Sequence, residues 1–76
     1  MLLGDWFKMR RQSIGLSQDE MAERLGITPA SYRNWERGRT DPQVPLWKIG
    51  DVASAFEVTV TDLAYSAKVG RSEAQL

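Results

Sequence analysis

The stretch LSQDEMAERLGITPASYRNWERGR, residues 16–39, decides the fold. It contains two helix starts and two helix stops with almost nothing between them. Ser17 and Glu20 stand at S-x-x-E spacing, a capping box in which each side chain satisfies the other residue's backbone N–H. Met21, Ala22 and Leu25 give the helix that follows an apolar face, and Gly26 ends it, since glycine accepts the left-handed conformation a helix stop requires. Only Ile27 separates Gly26 from the next start. Thr28 is a good N-cap, and Pro29 suits the first helical position, where its missing N–H costs nothing. That helix is expected to run to about Arg37 and to stop at Gly38. A link this short predicts a steep corner, with Ala22 small enough to let the two backbones approach.

Working outward, residues 3–14 place Leu3, Trp6, Phe7, Arg10, Arg11 and Ile14 on a helical repeat, with Gly15 as the stop. RTDPQVP, residues 39–45, is a loop with two prolines. A fourth helix is predicted from about Pro45 to Phe56 on the spacing of Leu46, Ile49, Val52, Ala53 and Phe56. A short fifth helix, capped by Thr59 or Thr61, is predicted to end at Leu63. The fold class expected is all-α, five helices in one domain over residues 1–65, followed by a polar tail, 66–76, frayed or disordered. Lys8 and Arg10 read as surface charges and Trp35 as core. Trp6 and Trp47 stay open between core and an exposed dimer surface.

The 76 residues allow one domain with a thin core. Cysteine and histidine are both absent, so no disulfide or zinc site supports the fold. Helix packing, aided by oligomerisation, must carry it. No apolar run approaches a membrane span, and MLLGDWFKMRR does not read as a signal peptide. A cytoplasmic protein without membrane contact is expected.

The ten basic and ten acidic residues cancel. Their distribution is uneven: residues 1–40 carry seven basic against five acidic, and residues 41–76 three against five. Within RNWERGR, residues 33–39, three arginines face one glutamate, so an anion-binding face belongs there. On a helical wheel of about 100° per residue, Ser31, Tyr32 and Trp35 fall with Thr28 on an inward face. Pro29, Ala30, Arg33, Asn34 and Arg37 look outward, and that face carries no acid of its own. Arginine can bind guanine O6/N7, asparagine adenine N6/N7, and proline or alanine a thymine methyl in the major groove. Thr28, at the same end of the helix, is counted among the DNA-contacting candidates. Arg37 is equally explained as a charge opposite the helix C-terminal dipole. The alternative is an antiparallel helical hairpin whose arginines are only solvated.

The ordered set Gly15-Leu16-Ser17-Gln18, Ala22, Leu25-Gly26-Ile27, Trp35-Glu36-Arg37-Gly38 and Pro42 resembles the Cro/repressor helix-turn-helix family, also called lambda-repressor-like or XRE-like. The likeness extends upstream to Arg11 and downstream through VASAFEVTVTDL, residues 52–63. It implies a five-helix domain with helices two and three as the DNA-binding pair. It implies that Gln18 touches a phosphate or supports a base contact, and that Arg33 and Asn34 hold the reading positions. It implies that Arg39 and Thr40 grip the sugar–phosphate backbone, and that Arg11 and Glu36 tie helix one to helix three. The chain departs from the pattern at Pro29 and Ala30, where relatives carry long polar side chains, and at Tyr32, where they carry an aliphatic one. Residues 42–56 are about two residues longer than is common, so the loop or helix four is expected to be displaced.

Without Cys–His or Ser–His pairs or a glycine-rich phosphate loop, an enzyme is not expected, nor any metal or cofactor. The expected function is a sequence-specific regulator, a repressor or autoregulator, binding double-stranded DNA as a homodimer on a palindromic operator. Its half-sites would lie about 34 Å apart. Val58, Val60, Leu63 and Tyr65, with Trp47, are the candidate dimer surface. The alternative is a protein-interaction module of the same fold, such as an antitoxin that holds a small protein partner with its tail.

Overall fold

The computed structural model describes residues 2–74. The chain forms α1 (Leu3–Ser13), α2 (Gln18–Leu25), α3 (Pro29–Arg37), a 3-10 turn (Leu46–Lys48), α4 (Ile49–Ala55) and α5 (Val60–Ala74). There is no strand among the described residues. The capping box closes as expected: the Ser17 hydroxyl accepts from Glu20 N–H at 3.1 Å, and Glu20 Oε1 accepts from Ser17 N–H at 3.0 Å. Gly15, Gly26 and Gly38 all stand at positive φ, between 71° and 78°, where a side chain would be strained.

The helices pack around an aromatic centre. Phe7 of α1 stacks on Phe56 with ring centroids 5.2 Å apart, and Trp6, Tyr32 and Trp35 complete the cluster at 5.6–6.4 Å. Met21, Ala22 and Leu25 press α2 into the same core. Ala22 is fully buried, as the tight crossing of α2 and α3 requires. The radius of gyration, 11.4 Å, matches the roughly 11 Å expected for a chain of this length.

Two elements differ from the sequence expectation. The fourth helix starts at Ile49 rather than Pro45 and ends at Ala55 rather than Phe56. Leu46, which fitted the apolar period, and Trp47, left open between core and an exposed surface, both stand on the 3-10 turn, 84% and 79% exposed. The fifth helix does not stop at Leu63 but continues to Ala74, so residues 66–74 are helical rather than a frayed tail. Small residues explain the extension. A Cβ on Gly70 would lie 2.6 Å from Leu3 N and 2.9 Å from Leu3 Cα, so glycine lets α5 lie directly on the start of α1. Residues 75 and 76 lie outside the described residues.

Arg10 is more than a surface charge. Its Nε donates to the Phe56 carbonyl at 2.8 Å and its Nη2 to the Glu57 carbonyl at 3.0 Å. Arg24 donates to the Ala55 carbonyl at 3.4 Å and to the Glu57 carboxylate at 3.3 Å. Two guanidinium groups thus satisfy the orphan carbonyls at the end of α4. Glu57 itself turns the chain at φ 57°.

Candidate nucleic-acid interface

α3 is built to stand at the surface on one side only. Thr28 Oγ1 accepts from Ser31 N–H at 3.2 Å, Pro29 opens the helix, and Gly38 closes it, with Gly38 N–H donating to the Trp35 carbonyl and Arg39 N–H to the Asn34 carbonyl. Tyr32 is fully buried, Trp35 is half-buried, and the Glu36 side chain is 4% exposed. These positions, i, i+3 and i+4, form the attached flank. Pro29, Ala30 and Arg37 are exposed, and Arg33 and Asn34 are half-exposed beside them.

Ser31 overturns its inward placement: it is exposed. A helical wheel gives an angle but not a depth, and the first turn of α3 extends past the body that buries Tyr32. Thr28 Oγ1 donates to Ser31 Oγ at 2.9 Å while accepting from Ser31 N–H. The threonine hydroxyl is therefore engaged within the cap, and Ser31 Oγ lies beside it on the open face. Sequence reasoning missed Ser31; its place three residues after the Thr28 cap, within the first turn of α3, was the available signal.

Arg11 and Glu36 form the expected pair, with Arg11 Nε donating to Glu36 Oε2 at 2.7 Å and Nη2 donating to Oε1 at 3.3 Å. Arg11 Nη1 also donates to the Leu16 carbonyl at 2.8 Å, which fixes the link between α1 and α2. Gln18 Nε2 donates to Glu36 Oε1 at 3.0 Å. Only the amide nitrogen can face a carboxylate, so the orientation of Gln18 is settled, with its Oε1 and second N–H left for other partners. Burial by itself pushes the Glu36 carboxyl up, but hydrogen bonds, chiefly from Arg11, outweigh it and hold the group below the usual carboxylate value. The same hydrogen bond raises Arg11. The Tyr32 hydroxyl is buried against this pair without meeting hydrogen-bond geometry, and burial foremost, then the adjacent carboxylate, push its phenol up.

The open face is not free of acid. Asp19, the second residue of α2, places Oδ1 3.5 Å from Arg33 Nη1. The outward face of α3 carries no acid of its own, since Glu36 lies on the attached flank, but the neighbouring helix supplies one. Gln18, Asp19 and Arg33 therefore lie on one continuous surface, with Asn34 next along α3. Arg39 and Thr40 are exposed in the loop after Gly38. No group of three or more His, Cys, Asp or Glu among the described residues is placed to hold a metal, and no helix among them is long and apolar enough to cross a membrane.

This geometry has known counterparts. The sequence profile of the helix-turn-helix family matches residues 7–63. Two crystal structures of the clp gene regulator ClgR from Corynebacterium glutamicum superpose on the chain. One gives a TM-score of 0.71 at 25% identity, covering 96% of this chain and 76% of ClgR. The other gives 0.66 at 27% identity, covering 87% and 83%. The search of curated proteins finds no match. A capped α2, a glycine corner and a half-open α3, matched over most of the length, place the chain in the lambda-repressor-like helix-turn-helix family of DNA-binding regulators.

Proposed function

We propose that the protein is a sequence-specific transcriptional regulator, a repressor or autoregulator, that binds a palindromic operator as a homodimer. The observation that carries this reading is the surface made by α2 and α3, where Arg33 and Asn34 stand half-exposed beside an oriented Gln18. Arg33 and Asn34 are the base readers, with Pro29 and Ala30 against thymine methyl groups and Ser31 at the edge. Gln18, Arg37, Arg39 and Thr40 meet the sugar–phosphate backbone. Thr28 serves by capping α3 rather than by direct contact, since its hydroxyl is occupied by Ser31. ClgR, a clp gene regulator, supports the same kind of role for a chain of this shape.

Val60 and Tyr65 are 43% and 69% exposed and remain the candidate dimer surface on α5, with Trp47. Leu63 is 7% exposed and belongs to the core instead. Selection from random duplexes tests the proposal. One enriched motif with an inverted repeat is the expected result, and an unenriched pool would overturn it.

A further inference from the structure

We propose that Asp19 is a specificity-determining residue, because its carboxylate holds Arg33 to base edges and opposes its use on phosphate. The inference rests on the reading that the α2–α3 surface meets DNA. Asp19 Oδ1 lies 3.5 Å from Arg33 Nη1, with the two side chains 75% and 39% exposed. A pair this wet contributes little to folding stability, so its consequence falls on binding. Only one of the five guanidinium N–H donors is engaged by it. The remaining donors are left for other partners.

The two kinds of DNA contact differ in what they do to the carboxylate. Arg33 can reach guanine O6 and N7 while keeping Asp19 beside it, because the base edge is uncharged. A phosphate brings a full negative charge next to the carboxylate, and like charges that close are unfavourable. Arg33 would also have to leave Asp19 to pair with it. The acid therefore leaves the specific mode nearly untouched and weakens the non-specific one. The zero net charge of the chain fits a protein that holds its non-specific affinity down.

The test uses the full chain, the duplex obtained by selection, and a random duplex of equal length. Asp19→Asn removes the charge and keeps the shape. Glu23→Gln, on the same helix and exposed, changes the net charge equally without touching Arg33. Asp19→Asn is expected to tighten binding to random DNA by about three- to tenfold and to change the selected site by less than about twofold. Its salt slope on random DNA should steepen by about one, as Arg33 takes up a phosphate. Glu23→Gln should shift both duplexes alike, and so should Asp19→Asn placed in an Arg33→Ala background. Melting curves confirm that each variant is folded. An enriched site with equal shifts for Asp19→Asn on both duplexes would overturn this proposal alone. Failure to enrich any site would overturn the proposed function, and this inference with it.

Discussion

Glu36 stands on α3 and accepts hydrogen bonds from Arg11 of α1 and Gln18 of α2, so one carboxylate holds three helices in register. Removing it leaves the Arg11 guanidinium, itself 10% exposed, without its partner. Glu36→Ala is expected to lower stability by about 2–4 kcal/mol, read by denaturant unfolding. The pH dependence follows from the sign of the shift. The folded carboxyl is held below its ordinary value of 4.5, so its contribution is present above that value and is lost as pH falls through the folded one. Glu36→Gln should flatten this acid limb, whereas an unchanged limb would assign it to other carboxylates, such as the Glu20 group lowered by the Ser17 backbone N–H. On the reading face, Arg33→Ala or Asn34→Ala should cost about 1–3 kcal/mol on the selected site and relax the preference at one base pair. Equal losses on all duplexes would mean that these side chains touch only phosphate.

At the scale of elements, the helix ends explain more than the helix interiors do. α2 and α3 are short, eight and nine residues, and neither would persist alone in water. Their caps fix where they begin and end, and burial of Met21, Ala22, Leu25 and Tyr32 makes them stay. α1 lies close on two neighbours through glycine: a Cβ on Gly4 would overlap the Glu36 carbonyl, and a Cβ on Gly70 would overlap Leu3 backbone. Gly70→Ala is therefore expected to destabilise by about 1–3 kcal/mol, since backbone rather than a pliable side chain would have to move. A neutral result in thermal melting would show that α5 does not dock there. The loop after α3 is proposed as a separate contact element. Arg39→Ala should weaken specific and random DNA alike and lower the salt slope by about one, and an unaltered slope would remove Arg39 from the backbone contacts.

The 76-residue chain carries the proposed reading surface on α2 and α3. A single module of this kind has few base contacts, and pairing two copies about a twofold axis doubles them. Exposed Tyr65 and Val60 on α5 and Trp47 on the 3-10 turn are the apolar groups that such a pairing would cover. Tyr65→Ser with Val60→Ser should leave the monomer fold intact and reduce affinity for a two-half-site duplex toward that for a single half-site. Sedimentation equilibrium and duplexes with half-site spacing altered by five base pairs report on it. An unshifted monomer–dimer equilibrium would direct attention to another surface.

The sequence alone determined the helix-turn-helix: its caps and stops are local chemistry, written within a few residues of one another, and Ser17, Glu20, Gly26, Thr28, Pro29 and Gly38 do what their types require. The Arg11–Glu36 pair was legible only through resemblance, because the two residues are 25 positions apart. Tertiary structure decided the rest. Leu46 obeyed the apolar period yet stayed exposed beside Trp47, α5 lay on α1 where Gly70 met Leu3, and Arg10 met the end of α4. Asp19 came to Arg33 from another helix. Periodicity states which side of a helix is apolar, but which residues have a neighbour, and of what charge, depends on the packing of segments distant in the chain.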